Sequence, residues 1–138
     1  YPVLNNRERV IWIIKKDRQE IEFHVIHSYE FLKNILWTKE LENIPDIVHA
    51  HHEKLDGNGY PLEIDGERIS VQAKMIAITD VYDALTAQDR PYKKAISHEK
   101  ALGIIGYEAK DSLIDSGLFD MFVKGKVYEI VHEKRWFI

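Results

Sequence analysis

Not one of the 138 residues is a cysteine, which removes disulfide bridges, thiolate metal ligands and iron–sulfur clusters from consideration together. Any metal bound here must be held by imidazole and carboxylate, a donor set that suits iron, manganese or zinc. Long apolar runs are missing as well. The longest, Val10 to Ile14, falls far short of the about 20 residues a bilayer-spanning helix needs, and the first residues lack the pattern of a secretory signal. Nor is there an excess of positive charge, since 19 basic residues against 23 acidic ones leave a formal charge of −4. That balance argues against a general nucleic-acid or membrane-surface binder, while permitting a local basic pocket for a small anion. No internal repeat or low-complexity linker occurs. At 45% hydrophobic residues the chain can fill a real core, and one soluble, cytoplasmic domain is the expectation.

What is present concentrates between Asp46 and Pro61, where three histidines, several carboxylates and a glycine-rich turn lie close together. Asn43 is suited to cap a helix, Pro45 to its first turn, and Gly57 to its stop after Asp56. On that helix Ile44, Ile47, Val48, His51 and His52 share roughly one face, so two adjacent imidazoles are carried toward the core. Neighbours on a helix point about 100° apart, so His51 and His52 are expected to bind separate ions of a pair rather than one ion side by side. His49 is expected to face solvent or a neighbouring helix. The segment Gly57-Asn58-Gly59-Tyr60-Pro61 then leaves through a turn that uses glycine's access to positive φ and proline's fixed φ. Such a loop can bring an aromatic ring to a ligand, or simply connect two elements with Tyr60 packed on the core.

Two further stretches carry chemistry. Ser70 is expected to cap a long helix through about Gln88, whose apolar face runs Ala73, Ile76, Ala77, Asp80, Val81, Ala84 and Leu85. Asp80 is the anomaly on that face. An ionised carboxylate in an apolar stripe costs several kcal/mol unless paired, so Asp80 is expected to meet a cation or a structural partner on a neighbouring helix. Asp83 is a candidate to orient an imidazole, or an ordinary surface carboxylate. Beyond it, Arg90-Pro91-Tyr92-Lys93 sets two cations beside an aromatic ring, a combination suited to phosphate, or to a solvated loop with one ion pair.

His51-His52-Glu53-Lys54-Leu55-Asp56-Gly57-Asn58-Gly59-Tyr60-Pro61 resembles the signature segment of the HD-GYP family, metal-dependent phosphohydrolases that cleave cyclic di-GMP and related dinucleotides. Asp80-Val81-Tyr82-Asp83-Ala84-Leu85 with Arg90-Pro91-Tyr92-Lys93 after it resembles the family's next block, in the right order. The resemblance implies an all-α fold, a helical bundle of the HD phosphohydrolase type. It implies two or three divalent metal ions, iron or manganese, with His24, His51, His52 and Asp80 among their ligands. Tyr60, Arg90 and Lys93 then become substrate-binding candidates. Cyclic di-GMP is the implied ligand, with a diguanylate-cyclase-type or other signalling protein and a second copy of the chain as further partners; nucleic acid and membrane contact are not implied.

The helix expected from Asp17 to about Trp37, with Glu20 as capping-box partner, supplies His24. Aligned to the family, His24 takes the place of its histidine, Ser28 of its usual glycine, and Phe31-Leu32 of its aliphatic pair. His27 is left as a bystander, and read without the family both are ordinary helix histidines. The family's His-Asp pair does not occur anywhere in the sequence. The residues near Tyr1-Pro2 resemble the stretch on the C-terminal side of that pair in the family. The expectation is therefore a single domain over residues 1–138, incomplete at its N-terminal side, within a longer protein bearing a sensory or regulatory domain. The chain taken alone is expected to be inactive. The remaining helices, Ser97 to about Gly106 and Asp111 to about Lys124, should close the bundle, with an apolar tail from Val127 as a packed extension or partner contact.

Overall fold

The computed structural model describes residue 20, residues 22–87 and residues 95–134, without the side chains of residues 131–134. The described residues are helical, with one isolated bridge between Asp56 and Asp65 and no strand, so the all-α expectation is met. By contacts the chain divides into two compact units, residues 1–49 and residues 50–138.

In the first unit, helix α1 covers residues 22–32 and buries Val25 completely. It stops earlier than the apolar spacing suggests. The Asn34 side-chain amide donates to the Glu30 carbonyl at 2.6 Å, and the Trp37 indole N–H donates to the Leu32 carbonyl at 2.8 Å. Side chains thereby take carbonyls that another helical turn would have used. Leu36, beyond the end of the helix, stands fully exposed. Helix α2, Ile44–Ala50, starts as expected: the Asn43 carbonyl accepts the first helical hydrogen bond, from Ile47, at 3.0 Å. Its imidazole at His49 lies flat on Tyr29, ring centroids 4.0 Å apart.

The second unit holds α3 (Val71–Thr86), α4 (His98–Lys110), α5 (Ser116–Lys124) and α6 (Val127–Lys134). Each of α3, α4 and α5 begins on a side-chain oxygen that accepts a backbone N–H of the first turn: Ser70 from Ala73, Ser97 from Lys100 and Asp115 from Leu118. Helices α3, α4 and α5 pack on one another and α6 on α5, around Ile78, Tyr82, Ala101, Ile105, Ile114 and Phe122. The Tyr82 hydroxyl shares a 2.9 Å hydrogen bond with Nδ1 of His98, which satisfies both polar groups within the aromatic part of this core.

Helix α4 outruns its expected end near Gly106 by one turn. It closes with Ser112 at φ 57°, the Leu113 N–H reaching back to the Glu108 carbonyl and the Ser112 N–H to that of Ala109. This is the glycine-type helix stop made with a serine. Composition alone does not flag it.

Candidate metal centre

Helix α2 ends at Ala50, not at Asp56 as its caps suggest, and the destinations of the next amides show why. The Glu53 N–H turns back to Ala50 at 3.0 Å, the Leu55 N–H crosses to the Leu113 carbonyl at 3.2 Å, and the Gly57 N–H closes on Lys54 at 2.9 Å. None continues a helical ladder. His51 and His52 therefore sit in a turn, where the 100° rule that kept them apart does not hold, and their rings approach to 4.1 Å between centroids at 40°. That corrects the expectation of two imidazoles splayed on one helix.

Asp80, from the middle of α3, completes a cluster. One ligand atom from each of His51, His52 and Asp80 lies within 4.8 Å of the others, and among the described residues this is the group able to hold a metal ion. Nε2 of His52 and Oδ2 of Asp80 are 3.9 Å apart. That is beyond hydrogen-bond reach. It is also within the span of two donors on one cation at metal–ligand distances of about 2.0–2.2 Å. Two imidazoles and a carboxylate with no thiolate fit a divalent metal.

The route to Asp80 differs from the one anticipated. The buried residues of α3 are Ala73, Ile78, Tyr82 and Thr86, so the core-facing stripe is rotated from the one that placed Ile76 and Asp80 inside. Ile76 is exposed, and the Asp80 side chain retains 48% of its accessible surface. Its value as a ligand thus rests on proximity to the histidines, not on a buried charge in need of a partner.

Sequence reasoning passed over Glu53. It is 6% exposed, and its carboxylate accepts the Leu62 N–H at 2.6 Å through Oε1 and the Ile64 N–H at 3.2 Å through Oε2. The loop after Pro61 is thereby tied to the residue next to the histidine pair. Gly59 makes the crossing possible, since a Cβ there would lie 2.4 Å from the Glu53 Cα and the Lys54 nitrogen. Gly57, at φ +80°, supplies the reversal, and Asp56 brackets it by accepting the Asn58 side-chain amide at 2.9 Å and backbone N–H at 3.0 Å. Those bonds, the side-chain one first, hold the Asp56 carboxyl below its ordinary value. Tyr60 ends up against the candidate ligand cluster: its N–H donates to the His52 carbonyl at 3.3 Å, and its ring stacks on His52 at 5.0 Å. The signal that could have found Glu53 is its charge between the histidine pair and a glycine turn.

Behind the histidines runs a small cleft of about 60 Å³, bordered by the ion pairs Lys54–Glu108 at 3.8 Å and Lys74–Asp115 at 3.9 Å. Ligand pockets for small molecules run to about 300–1,000 Å³. A dinucleotide does not fit there. Asp83 lies one turn beyond Asp80, exposed, its carbonyl accepting the Ala87 N–H. His24 is exposed on α1, in the first unit. Arg90 and Lys93 lie outside the described residues.

Residues 3–118 match the family model described as the HD domain. The chain belongs to the HD domain family. Among curated relatives it is 44% identical over 78 residues to a probable cyclic di-GMP phosphodiesterase of Vibrio cholerae, covering 56% of this chain and 17% of that protein. A 3'3'-cGAMP-specific phosphodiesterase 1 of the same organism is 42% identical over 74 residues, covering 54% of this chain and 17% of the relative. A cyclic di-GMP phosphodiesterase, also from Vibrio cholerae, is 50% identical over 60 residues, covering 44% and 12%. The matched part thus spans about a sixth of the length of the first two relatives. No helix among the described residues is long and apolar enough to cross a membrane.

Proposed function

We propose that the full-length protein carrying this HD domain is a metal-dependent phosphodiesterase that hydrolyses cyclic di-GMP to the linear dinucleotide or GMP, in bacterial second-messenger signalling in the cytoplasm. The single observation that carries the reading is the convergence of His51, His52 and Asp80 within 4.8 Å, beside the ring of Tyr60. The family resemblance adds His24 of α1 as a further ligand candidate, while the family's His-Asp pair does not occur in these 138 residues. Two or three ions, iron or manganese, would supply Lewis acidity toward the phosphate and activation of water.

The chain's own residues then bind and orient. The two imidazoles and the Asp80 carboxylate would hold the ions, and Asp83 would steady a ligand ring. Tyr60 offers a flat aromatic face, already parallel within 24° to the His52 ring, against which a purine can lie. Arg90 and Lys93 supply positive charge for the phosphates, Arg90 by bidentate hydrogen bonding and Lys93 as a point charge. A diguanylate-cyclase-type protein, or a second copy of the chain, is the partner proposed for such an enzyme.

The relatives named for 3'3'-cGAMP favour a second reading, in which that mixed dinucleotide is the substrate. The deciding experiment is hydrolysis of both dinucleotides by the full-length protein, purified anaerobically and loaded in turn with iron and manganese. Turnover of cyclic di-GMP supports the first reading, and turnover of 3'3'-cGAMP alone supports the second. Retained metal with no turnover of either would leave a cyclic-dinucleotide sensor or a phosphohydrolase for another nucleotide. Neither metal nor turnover would leave an interaction domain.

A further inference from the structure

We infer that Glu53 is a positioning residue that sets the distance between the metal-binding histidines and the ring of Tyr60. The inference rests on the function proposed above for its consequence, and on the geometry of one loop for its cause. Glu53 is bonded directly to His52, so its backbone moves with the ligand pair. Its carboxylate, nine-tenths buried, holds Leu62 and Ile64 from the far side of the turn at 2.6 and 3.2 Å. Tyr60 lies between these anchors. One side of its short segment is bonded to the His52 carbonyl, and the other is pulled in through Leu62.

A loop of glycines and polar residues has little apolar surface with which to order itself, and loops are by default the mobile parts of a fold. Here both carboxylate oxygens are engaged by backbone N–H groups of residues two and four positions after Tyr60. A carboxylate in this setting is an acceptor only, so it matches two donors where an amide cannot. In Glu53→Gln one amide position presents N–H groups to a backbone N–H, and one of the two anchors is lost without a change of size. The expected consequence is a Tyr60 ring that no longer keeps station over the metal-binding pair. Metal ligation is expected to be little changed, because the Glu53 carboxylate is engaged by Leu62 and Ile64 and is not part of the His51, His52 and Asp80 cluster.

The test uses the full-length protein. Glu53→Gln should raise KM for cyclic di-GMP about tenfold, the loss of roughly one charge-assisted hydrogen bond, with kcat and bound metal per chain little changed. In a Tyr60→Ala background the same substitution should add less than about twofold, since coupled positions do not add. An unchanged KM, a fully additive double mutant, or loss of metal would each overturn the inference. A substrate-independent readout separates it from the proposed activity. In the metal-free protein, amide exchange at Leu62 and Ile64 should accelerate in Glu53→Gln, and the His52 ring-proton shifts should move toward those of Tyr60→Ala. If these changes occur while the wild-type protein cleaves no cyclic dinucleotide, the activity fails and the positioning role stands; if they do not occur, the positioning role fails whatever the activity. Should Glu53→Gln not fold, Glu53→Asp, one methylene too short to reach both amides, carries the same comparison.

Discussion

Replacing Gly59 by alanine should damage this protein far more than the loss of a hydrogen atom suggests. A Cβ at Gly59 would stand 2.4 Å from the Glu53 Cα and the Lys54 nitrogen and 2.7 Å from the Glu53 carbonyl carbon, all backbone atoms that no rotamer change can move aside. Restoring ordinary contact means displacing one side of the loop by about 1 Å. The Leu62 N–H to Glu53 bond, 2.6 Å long, and the Tyr60 N–H to His52 bond, 3.3 Å long, lie on either side of that crossing. A shift of that size breaks at least one. Overpacking costs about 1–3 kcal/mol. A lost hydrogen bond to a charged group adds about 1.5–3 kcal/mol. We therefore expect a loss of about 2.5–6 kcal/mol, a fall in Tm on the order of 10–20 °C for a domain of this size. Two other glycines are the controls. Gly57 has open space around it but φ +80°, so alanine there should cost about 1 kcal/mol. Gly103 lies in the exposed middle of α4 with nothing within 4 Å, and alanine there should stabilise by about 0.5–1 kcal/mol. Thermal melts of the three variants give the order. A Gly59→Ala protein as stable as Gly57→Ala would refute the close-crossing account.

Asp80→Asn removes the only anionic donor of the described cluster, so metal affinity should drop by at least about tenfold, read as metal per chain after dialysis; full retention would take Asp80 out of the site. The Asp56 carboxyl, held below its ordinary 3.8 by the Asn58 side chain and then its backbone N–H, should titrate below that value by NMR and move up toward it in Asn58→Ala. Because the folded state has the lower pKa, this stabilisation is present above the unfolded-state value and disappears as pH falls through the folded one. Ile105, with no exposed surface in the core, should cost about 2–5 kcal/mol on truncation to alanine by denaturant titration, without a change in metal content.

The elements that could be read directly are those whose physics is local. Ser70 and Ser97 mark helix starts because a side chain there meets an orphan N–H three residues on, and Asn43 because its carbonyl takes the first helical hydrogen bond, relations written in the spacing. The glycine-rich segment after His52 announces a turn for the same reason, and His51, His52 and Asp80 are residue types able to hold a divalent metal without a thiolate. Helix ends were harder. Leu32 gives up its carbonyl to Trp37, and Ser112 takes the left-handed stop usually given to glycine, so apolar periodicity overran one helix and a glycine signal cut the other short.

Residue types were therefore enough for the donor chemistry available, and the family resemblance of the two motif blocks implied the fold class and the three residues that meet. How they meet is a matter of contacts made after folding. The Leu55 N–H leaves the helical ladder for a carbonyl on a segment 58 residues away, at Leu113, which ends α2 at Ala50 and frees the two imidazoles to converge. Packing of α3 around Ile78 and Tyr82 turns Asp80 outward to the histidines rather than into the core. Glu53 acquires its role only when Leu62 and Ile64 return to it. Those hydrogen bonds join residues far apart or across a turn, and no period of 3.6 residues encodes a partner that the chain reaches only after it has folded.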